Sequence, residues 1–538
     1  MDRKVNIRPD VVFASGLLSM AFIMLLCVVF YKITGEEGAG FLSAPVSLFV
    51  IAISVFIFAF ESVTRDMVRA RLHREQMLHA KKNVRQLMLA SFITGCGFAL
   101  VFALLSKVIS VYVFHSPRNF MVILMMSPVF IFLSIQGVCR GYLSGAGYSF
   151  VSVISNCIMV VVTYICSLIL SNIGYRYGLK VNALMHVDDI ASAYGAVGAA
   201  IGISAGGFLS FLFILIVMFI KRHELRALED GSAKVKNDYK NESVKELVIA
   251  VVLFGTFGLL LFIDECVYMN VAWRIHPTEN NISSWGIYMA ECIAVVSALV
   301  FLTAIPFVKS WFGVHVAIVK KDYKAARARL SKLVHFEAML VMPVTVIIMI
   351  LTKTLTTVLF GKSNDAAVNM IVLAITAIIP GSAFLFQTFL LRKLKNYFVL
   401  LLNTCIGIVV HMVTLLVMSF GFNMGIHASI AAFIAMLLIL SVVGWLEISL
   451  MLDYKQEFKK SLILPLLSSG IAGLLALLID RIFVNMIGEI LTALIAILFS
   501  YVSYMVLLIV FKSVDKYEVE KMPFGYNFAV LCDKLGDR

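Results

Sequence analysis

The chain has 538 residues, 61% of them hydrophobic and only 14% charged, with a formal net charge of +13. Soluble domains carry about a quarter charged residues, so this composition excludes an ordinary soluble protein. Eight of the nine cysteines lie in or beside apolar runs, and none forms a CxxC metal site or a disulfide framework.

Apolar runs of about 20 residues recur along the whole sequence, each long enough to cross a hydrocarbon core of about 30 Å as a helix. Backbone groups must be paired in lipid, and uninterrupted runs do not suit the alternating strands of a barrel. Fourteen helical spans are expected, at 11–33, 41–60, 88–113, 119–138, 149–171, 193–220, 246–271, 284–307, 333–357, 366–390, 397–420, 427–449, 461–480 and 487–511. The first run lacks a small-residue cleavage site and reads as a span rather than a removable signal. The expected class is an all-α integral membrane protein.

Lysine and arginine set the orientation. With the N-terminus inside, the inside segments hold 3, 7, 1, 7, 7, 3, 3 and 5 of these residues in chain order. The outside segments hold 1, 2, 2, 1, 2, 0 and 1. The fourfold excess places both termini in the cytoplasm. It also accounts for the positive charge through an anionic leaflet, so no nucleic-acid partner is inferred.

The chain reads as built twice. Basic stretches "RDMVRARLHREQMLHAKKNVRQLM" and "VKKDYKAARARLSKLV" follow the second and eighth spans, and both read as amphipathic helices on the inner surface. "GEEGAGFLSAPVSLF" enters the second span and "SSWGIYMAECIAVV" the eighth; "SNCIMVV" in the fifth matches "NTCIGIVV" in the eleventh; "YGAVGAAIG" opens the sixth and "MGIHASIAA" the twelfth. Such order points to two six-helix halves. The expected organisation is an N-terminal lobe at 1–222, a cytoplasmic linker at 223–245, a C-terminal lobe at 246–450, and two extra helices with a cytoplasmic tail at 451–538. Duplicated six-helix halves are an architecture of secondary transporters. No Walker P-loop, H-E-x-x-H or G-x-S-x-G motif is present, so neither an enzyme nor ATP hydrolysis is expected.

"GEEGAGFLSAPVSLF", "KKNVRQLM", "CRGYLSGAG", "AYGAVGAAIG", "KKDYKAARARLSKLV" and the tail "EVEKMPFGYNFAVLCDKLG" together resemble stage V sporulation protein B-like polysaccharide transporters. These are members of the multidrug/oligosaccharidyl-lipid/polysaccharide exporter superfamily, which includes lipid II flippases. The resemblance implies two six-helix lobes, two trailing helices and flipping of a polyprenyl-diphosphate-linked sugar in a bacterial plasma membrane. Where lipid II flippase-like members carry basic residues within the first helix, this chain has Met20 and Cys27, with Lys32 at the outer end. Where the first half reads "CRGYLSGAG", the second reads "FLLRKLKNYF".

"CRGYLSGAG" itself, 139–147, reads as the inside turn between spans four and five, with its glycines reversing the chain and Arg140 near lipid phosphates at the inner surface. Headgroup contacts are expected from Arg65, Arg69, Arg140 and Arg274, with ordinary positive-inside anchoring the alternative for Arg65 and Arg69. Intramembrane ionisable groups are site candidates because a charge there costs about 2.5–3.5 kcal/mol on insertion scales. Glu61, Asp264, Glu265 and Glu291 are accordingly the coupling-ion candidates, as oxygen ligands for Na⁺ or a carboxyl for H⁺. The membrane potential is a third source of energy. The plainer reading of Asp264 is that it pairs with a nearby cation or polar helix and fixes the second lobe's packing. Adjacent Asp264 and Glu265 point about 100° apart, so they do not share one focus. Lys107, Lys353 and Glu447 lie near span ends and snorkel. His411, Asn156 and Asn403 are expected to make interhelical hydrogen bonds. No catalytic residue, metal or cofactor is expected.

Three functions remain open at this point. The first is a flippase for a lipid-linked oligosaccharide or cell-envelope precursor. The second is a cation-coupled drug or metabolite exporter of the same superfamily. The third is a non-transporting scaffold for envelope-synthesis enzymes.

Overall fold

The computed structural model describes residues 9–230, 240–275, 280–304, 308–361, 364–394, 396–520 and 525–536. The basic N-terminal residues Arg3, Lys4 and Arg8, the middle of the expected linker and part of the tail motif lie outside the described residues. Among those described there is no strand.

The helices are α1 (Pro9–Ala52), α2 (Glu61–Leu72), α3 (Met77–Val108), α4 (Asn119–Met126), α5 (Val129–Gly145), α6 (Phe150–Met185), α7 (Ile190–Ile220), α8 (Arg222–Asp230), α9 (Lys240–Ile275), α10 (Asn281–Ile287) and α11 (Ala294–Ala304). They continue as α12 (Val308–Val319), α13 (Tyr323–Ile350), α14 (Thr352–Phe360), α15 (Asp365–Ile375), α16 (Ile378–Lys393), α17 (Tyr397–Leu416), α18 (Ile426–Leu452), α19 (Leu464–Ile487), α20 (Glu489–Val510), α21 (Lys516–Val519) and α22 (Gly525–Gly536). Among the described residues five π-helical stretches join or extend them, at Ile53–Phe60, Ile109–Val113, Tyr288–Ile293, Val417–Gly421 and Lys459–Ile463.

Each of the fourteen expected spans falls on one or more helical segments, apart from 305–307, which lie outside the described residues. Twelve helical segments among the described residues are long and apolar enough to cross a membrane. One of them, Leu18–Leu72, has 55 residues. A single helix of that length would run about 80 Å, far more than one hydrocarbon core. It is broken at Gly35, with φ 71° and ψ −171°, a conformation open to glycine. The loop expected at 34–40 is therefore a one-residue break, and the segment supplies spans one and two. The tenth span is split between α15 and α16. Leucines and isoleucines such as Leu474, Leu478, Leu494 and Leu498 are exposed on α19 and α20, which suits a surface facing lipid tails.

Two expectations are corrected. The basic stretches after spans two and eight are not separate helices lying on a surface. α2 extends the second span without a break through Arg65, Arg69 and Arg71, and α3 carries the basic residues Lys81, Lys82 and Arg85 straight into the third. Likewise α13 begins at Tyr323 and runs into the ninth span. Extending the spans leaves one short break in each stretch, whereas a separate surface helix would add a second break with its own unpaired ends. The second correction concerns 139–147, where α5 continues to Gly145 and the turn lies at Ala146 and Gly147 (φ 104°).

Local backbone features recur six spans apart. Spans two and eight each contain a π stretch, Ile53–Phe60 and Tyr288–Ile293. Spans four and ten are each interrupted, at Ser127–Pro128 and at Thr376–Ala377. Pro128 lacks the N–H that would continue α4, and Pro380 sits in the first turn of α16, where that donor is not needed. Left-handed non-glycine residues precede spans three and nine, Glu75 and Lys321, and follow spans five and eleven, His186 and Asn423. The matched motifs also meet each other. A Cβ on Gly40 would collide with the Ile282 carbonyl, and one on Gly286 with the Glu36 carbonyl. Only glycines allow α1 and α10 this backbone approach.

The chain forms two compact units, one of 1–290 with 397–429 and one of 291–396 with 430–538. In the first, α5 is buried along almost its whole length against α2, α3 and α7. Gly198, Gly202 and Gly206 set α7 directly on the backbone of α6 at Leu170, Ser167 and Met159. In the second, Trp311, Leu330, Phe386 and Ile448 form one apolar cluster, and Met339, Tyr504, Leu508 and Val519 another. Tyr504 donates to the Met339 carbonyl at 2.8 Å.

Candidate functional site

A buried concentration of ionisable groups in the first unit is on α9, an apolar helix that carries Asp264 and Glu265 in its C-terminal half. Both side chains are fully buried. The 100° step between neighbours sends them to different helices, as their adjacency requires. Asp264 Oδ1 lies 2.8 Å from Nε2 of His411 on α17, with Ser429 beside the same carboxyl. Glu265 accepts a hydrogen bond from the Ser43 hydroxyl on α1, near Ser47 and Trp285. Trp285 is itself enclosed between Tyr268 and Tyr288, with ring centroids 5.1 and 4.9 Å away. Asn270 faces elsewhere, bonding the Val113 carbonyl at 3.0 Å and His115 at 3.1 Å.

A second buried pair joins α2 and α5. Arg140 Nε lies 2.9 Å from Glu61 Oε2, and Arg140 Nη2 donates to the Ser152 carbonyl at 3.1 Å. Arg140 is 5% exposed and Glu61 8%, so Arg140 is enclosed between helices rather than spread on a surface. The glycines of this stretch explain the approach. A Cβ on Gly141 would lie 2.6 Å from the Glu61 carbonyl, and one on Gly145 would lie 2.5 Å from Val68 Cβ. They are contact glycines spaced four apart, which is why they sit in a helix and not in a turn.

The other expected residues differ in burial and partners. Arg65 is partly exposed and pairs with Asp66 at 3.2 Å; Arg69 and Arg274 are exposed. Glu291 is buried and belongs to the second unit. Asn156 donates to Ser19 at 2.8 Å, the interhelical role expected of it. The sequence reading passed over Glu337, a buried carboxyl on α13 that lies within an expected span, and Gln136. Gln136 donates to Ser155 at 2.9 Å and Ser210 at 2.6 Å, tying α5 to α6 and α7. A polar residue inside an apolar run is the one signal that marks either. Among the described residues no group of three His, Cys, Asp or Glu side chains is placed to hold a metal ion.

No family model matches the sequence, and no curated relative matches it. Solved structures do match. A lipid II flippase MurJ in an inward closed conformation aligns over 93% of this chain and 98% of its own, with a TM-score of 0.64 at 13% identity. An inward-facing multidrug resistance MATE family transporter of the MOP superfamily covers 81% of this chain and 94% of its own, with a TM-score of 0.58 at 13% identity. A MOP superfamily transporter from Pyrococcus furiosus, described as having a binding pocket of reverse polarity, covers 83% and 95%, with a TM-score of 0.56 at 14% identity. The chain therefore has the fold of the MOP superfamily transporters.

Proposed function

We propose that the chain is a transporter that flips a polyprenyl-diphosphate-linked oligosaccharide or cell-envelope polysaccharide precursor across a bacterial plasma membrane by alternating access. The observation that carries this reading is the extent of the structural match. The lipid II flippase aligns with 93% of the chain, whereas the MATE transporter aligns with 81%. The two C-terminal helices and tail, 451–538, make up about 16% of the sequence. A chain built on the longer plan leaves little unmatched, as seen with the flippase.

The physical task suits two six-helix lobes, 1–222 and 246–450, joined by the linker at 223–245. Each unpaired hydroxyl of a sugar costs several kcal/mol in hydrocarbon and each phosphate charge far more. A wet cleft shelters the headgroup while the tail remains in lipid. Arg65 and Arg69, on the basic extension of the second span, meet an anionic headgroup first. Arg274 serves at the other end of α9, and Arg140 acts through its pair with Glu61. Asp264 and Glu265 are the coupling candidates of the first unit and Glu291 that of the second. Both termini are cytoplasmic, and envelope-synthesis enzymes are the expected partners.

A second reading is a cation-coupled drug or metabolite exporter. The buried carboxyls on α9 favour it, as do the neutral Met20 and Cys27 in the first helix. Reconstituted vesicles separate the two. Labelled lipid-linked oligosaccharide in the inner leaflet should become accessible to an external enzyme only when the protein is present. Accumulation of cationic dyes without movement of the lipid-linked sugar would replace the first reading by the second.

A further inference from the structure

We propose that Asp264 and His411 act as one proton-binding pair, and that the ion driving transport through this site is H⁺. This rests on the transporter reading above and selects among the ions left open there.

The donor set is the first ground. Asp264 meets an imidazole nitrogen at 2.8 Å, with a serine hydroxyl alongside. Hard cations such as Na⁺ seek a shell of oxygens, whereas an imidazole suits a proton or a softer metal. His411 is therefore a poor neighbour for sodium and a good one for hydrogen.

The second ground is enclosure. Both side chains are completely buried, so no bulk water exchanges the pair freely. Among the described residues, the titratable groups recorded beside Asp264 are His411 from α17, and Glu265 and Cys266 on its own helix. α1 and α10 contribute Ser43, Ser47 and Trp285, all neutral, and these face Glu265. Tyr268 stacks on Trp285, and His115, beyond the π stretch Ile109–Val113, is engaged by Asn270. No lysine or arginine shares the niche among these neighbours. With a neutral imidazole donating from Nε2, the carboxylate leaves the pair with one negative charge. One proton bound at either partner makes it formally neutral, and release restores the charge. Nothing is oxidised and no covalent bond to carbon changes.

The third ground is connectivity. Asp264 and His411 are 147 residues apart, and α17 leaves the sequence neighbourhood of the second unit to pack on α9 in the first. The charge on the pair changes the bond that holds these two helices together. A proton bound there is thereby felt as a change in helix packing, which is what a coupled transporter requires.

The test uses the full-length protein in lipid nanodiscs and needs no substrate. Infrared difference spectra across pH report the carboxylic carbonyl, and nitrogen-labelled histidine reports the imidazole. The two signals should titrate together in wild type, with a midpoint unmoved by sodium. Asp264→Asn should remove the carbonyl band and shift the His411 titration. A midpoint that sodium displaces, or a band that survives in Asp264→Asn and vanishes in Glu265→Gln, would overturn the assignment. In sodium-free vesicles a pH gradient should drive flipping of lipid-linked oligosaccharide, and His411→Gln should reduce it by roughly 5- to 150-fold, the range of ordinary coupling free energies. Gradient-driven flipping that His411→Gln leaves unchanged would also overturn it. Absence of flipping under every gradient, with the paired titration intact, counts against the flippase reading instead.

Discussion

Replacing Arg140 by Met should destabilise the protein more than replacing both Arg140 and Glu61. The pair is 2.9 Å apart with side-chain exposures of 6% and 11%. At an effective dielectric constant near 20, charges at that separation attract by about 5–6 kcal/mol. Desolvation cancels much of this, so a buried pair contributes little over an apolar replacement. Removing one partner, however, leaves an uncompensated charge and costs about 3–5 kcal/mol. Arg140→Met strands the Glu61 carboxylate and should lose that amount. Glu61→Leu should lose less, since Arg140 keeps its bond to the Ser152 carbonyl. The double variant Glu61→Leu with Arg140→Met should fall within about 1–2 kcal/mol of wild type, because apolar packing replaces the pair. Unfolding free energies in detergent micelles or nanodiscs, measured as a double-mutant cycle, decide the matter. Additive losses, with the double variant equal to the sum of the singles, would refute the coupling. Loss of flipping in Arg140→Met at unchanged stability would make the arginine a headgroup contact instead.

Gly141→Ala should cost about 1–3 kcal/mol, because its Cβ would lie 2.6 Å from the Glu61 carbonyl, whereas Gly97→Ala, with nothing within 4 Å, should be neutral or slightly stabilising. Equal thermal stability of the two variants would remove the packing explanation. Cysteines placed at Arg74 and Lys324, both exposed, should resist an impermeant thiol reagent in intact cells; labelling from outside at either would invert the topology. Arg71 is unsuitable for this test because it is buried. Finally, moving two negative charges outward across an inside-negative potential gains about 4.6 kcal/mol per 100 mV. Collapsing the potential at constant pH should slow flipping, and an indifferent rate would exclude an uncompensated diphosphate.

The spans were legible in the sequence because hydrocarbon thickness fixes how long an apolar run must be. The internal duplication was legible for a related reason: glycines such as Gly40 and Gly286 stand where two backbones touch, so they mark both copies. The same residue type misled at 139–147. A glycine that reverses a chain and one that admits a neighbouring helix look alike in one dimension, and Gly141 and Gly145 are of the second kind. Partner choice was the least visible property. Glu61 and Arg140, or Asp264 and His411, meet only because of tertiary packing, and nothing local in the sequence announces it. Glu337 was missed because a single carboxyl in an otherwise unremarkable run carries no partner with it.

The π stretch at Ile53–Phe60 ends directly at Glu61. A π turn holds one residue more than an α turn would. It therefore works as an angular offset between two parts of one rod. Before it, Ser43 on α1 is aimed at Glu265; after it, Glu61 is aimed at Arg140. In α geometry each residue advances the helix by about 100°. Taking a single residue out of the stretch would swing the basic extension, with Arg65 and Arg69, through that angle while leaving Ser43 where it stands. The setting of the arginines on the basic extension and the setting of the α9 carboxyl are thus two dials on one shaft, and the π stretch is the graduation between them.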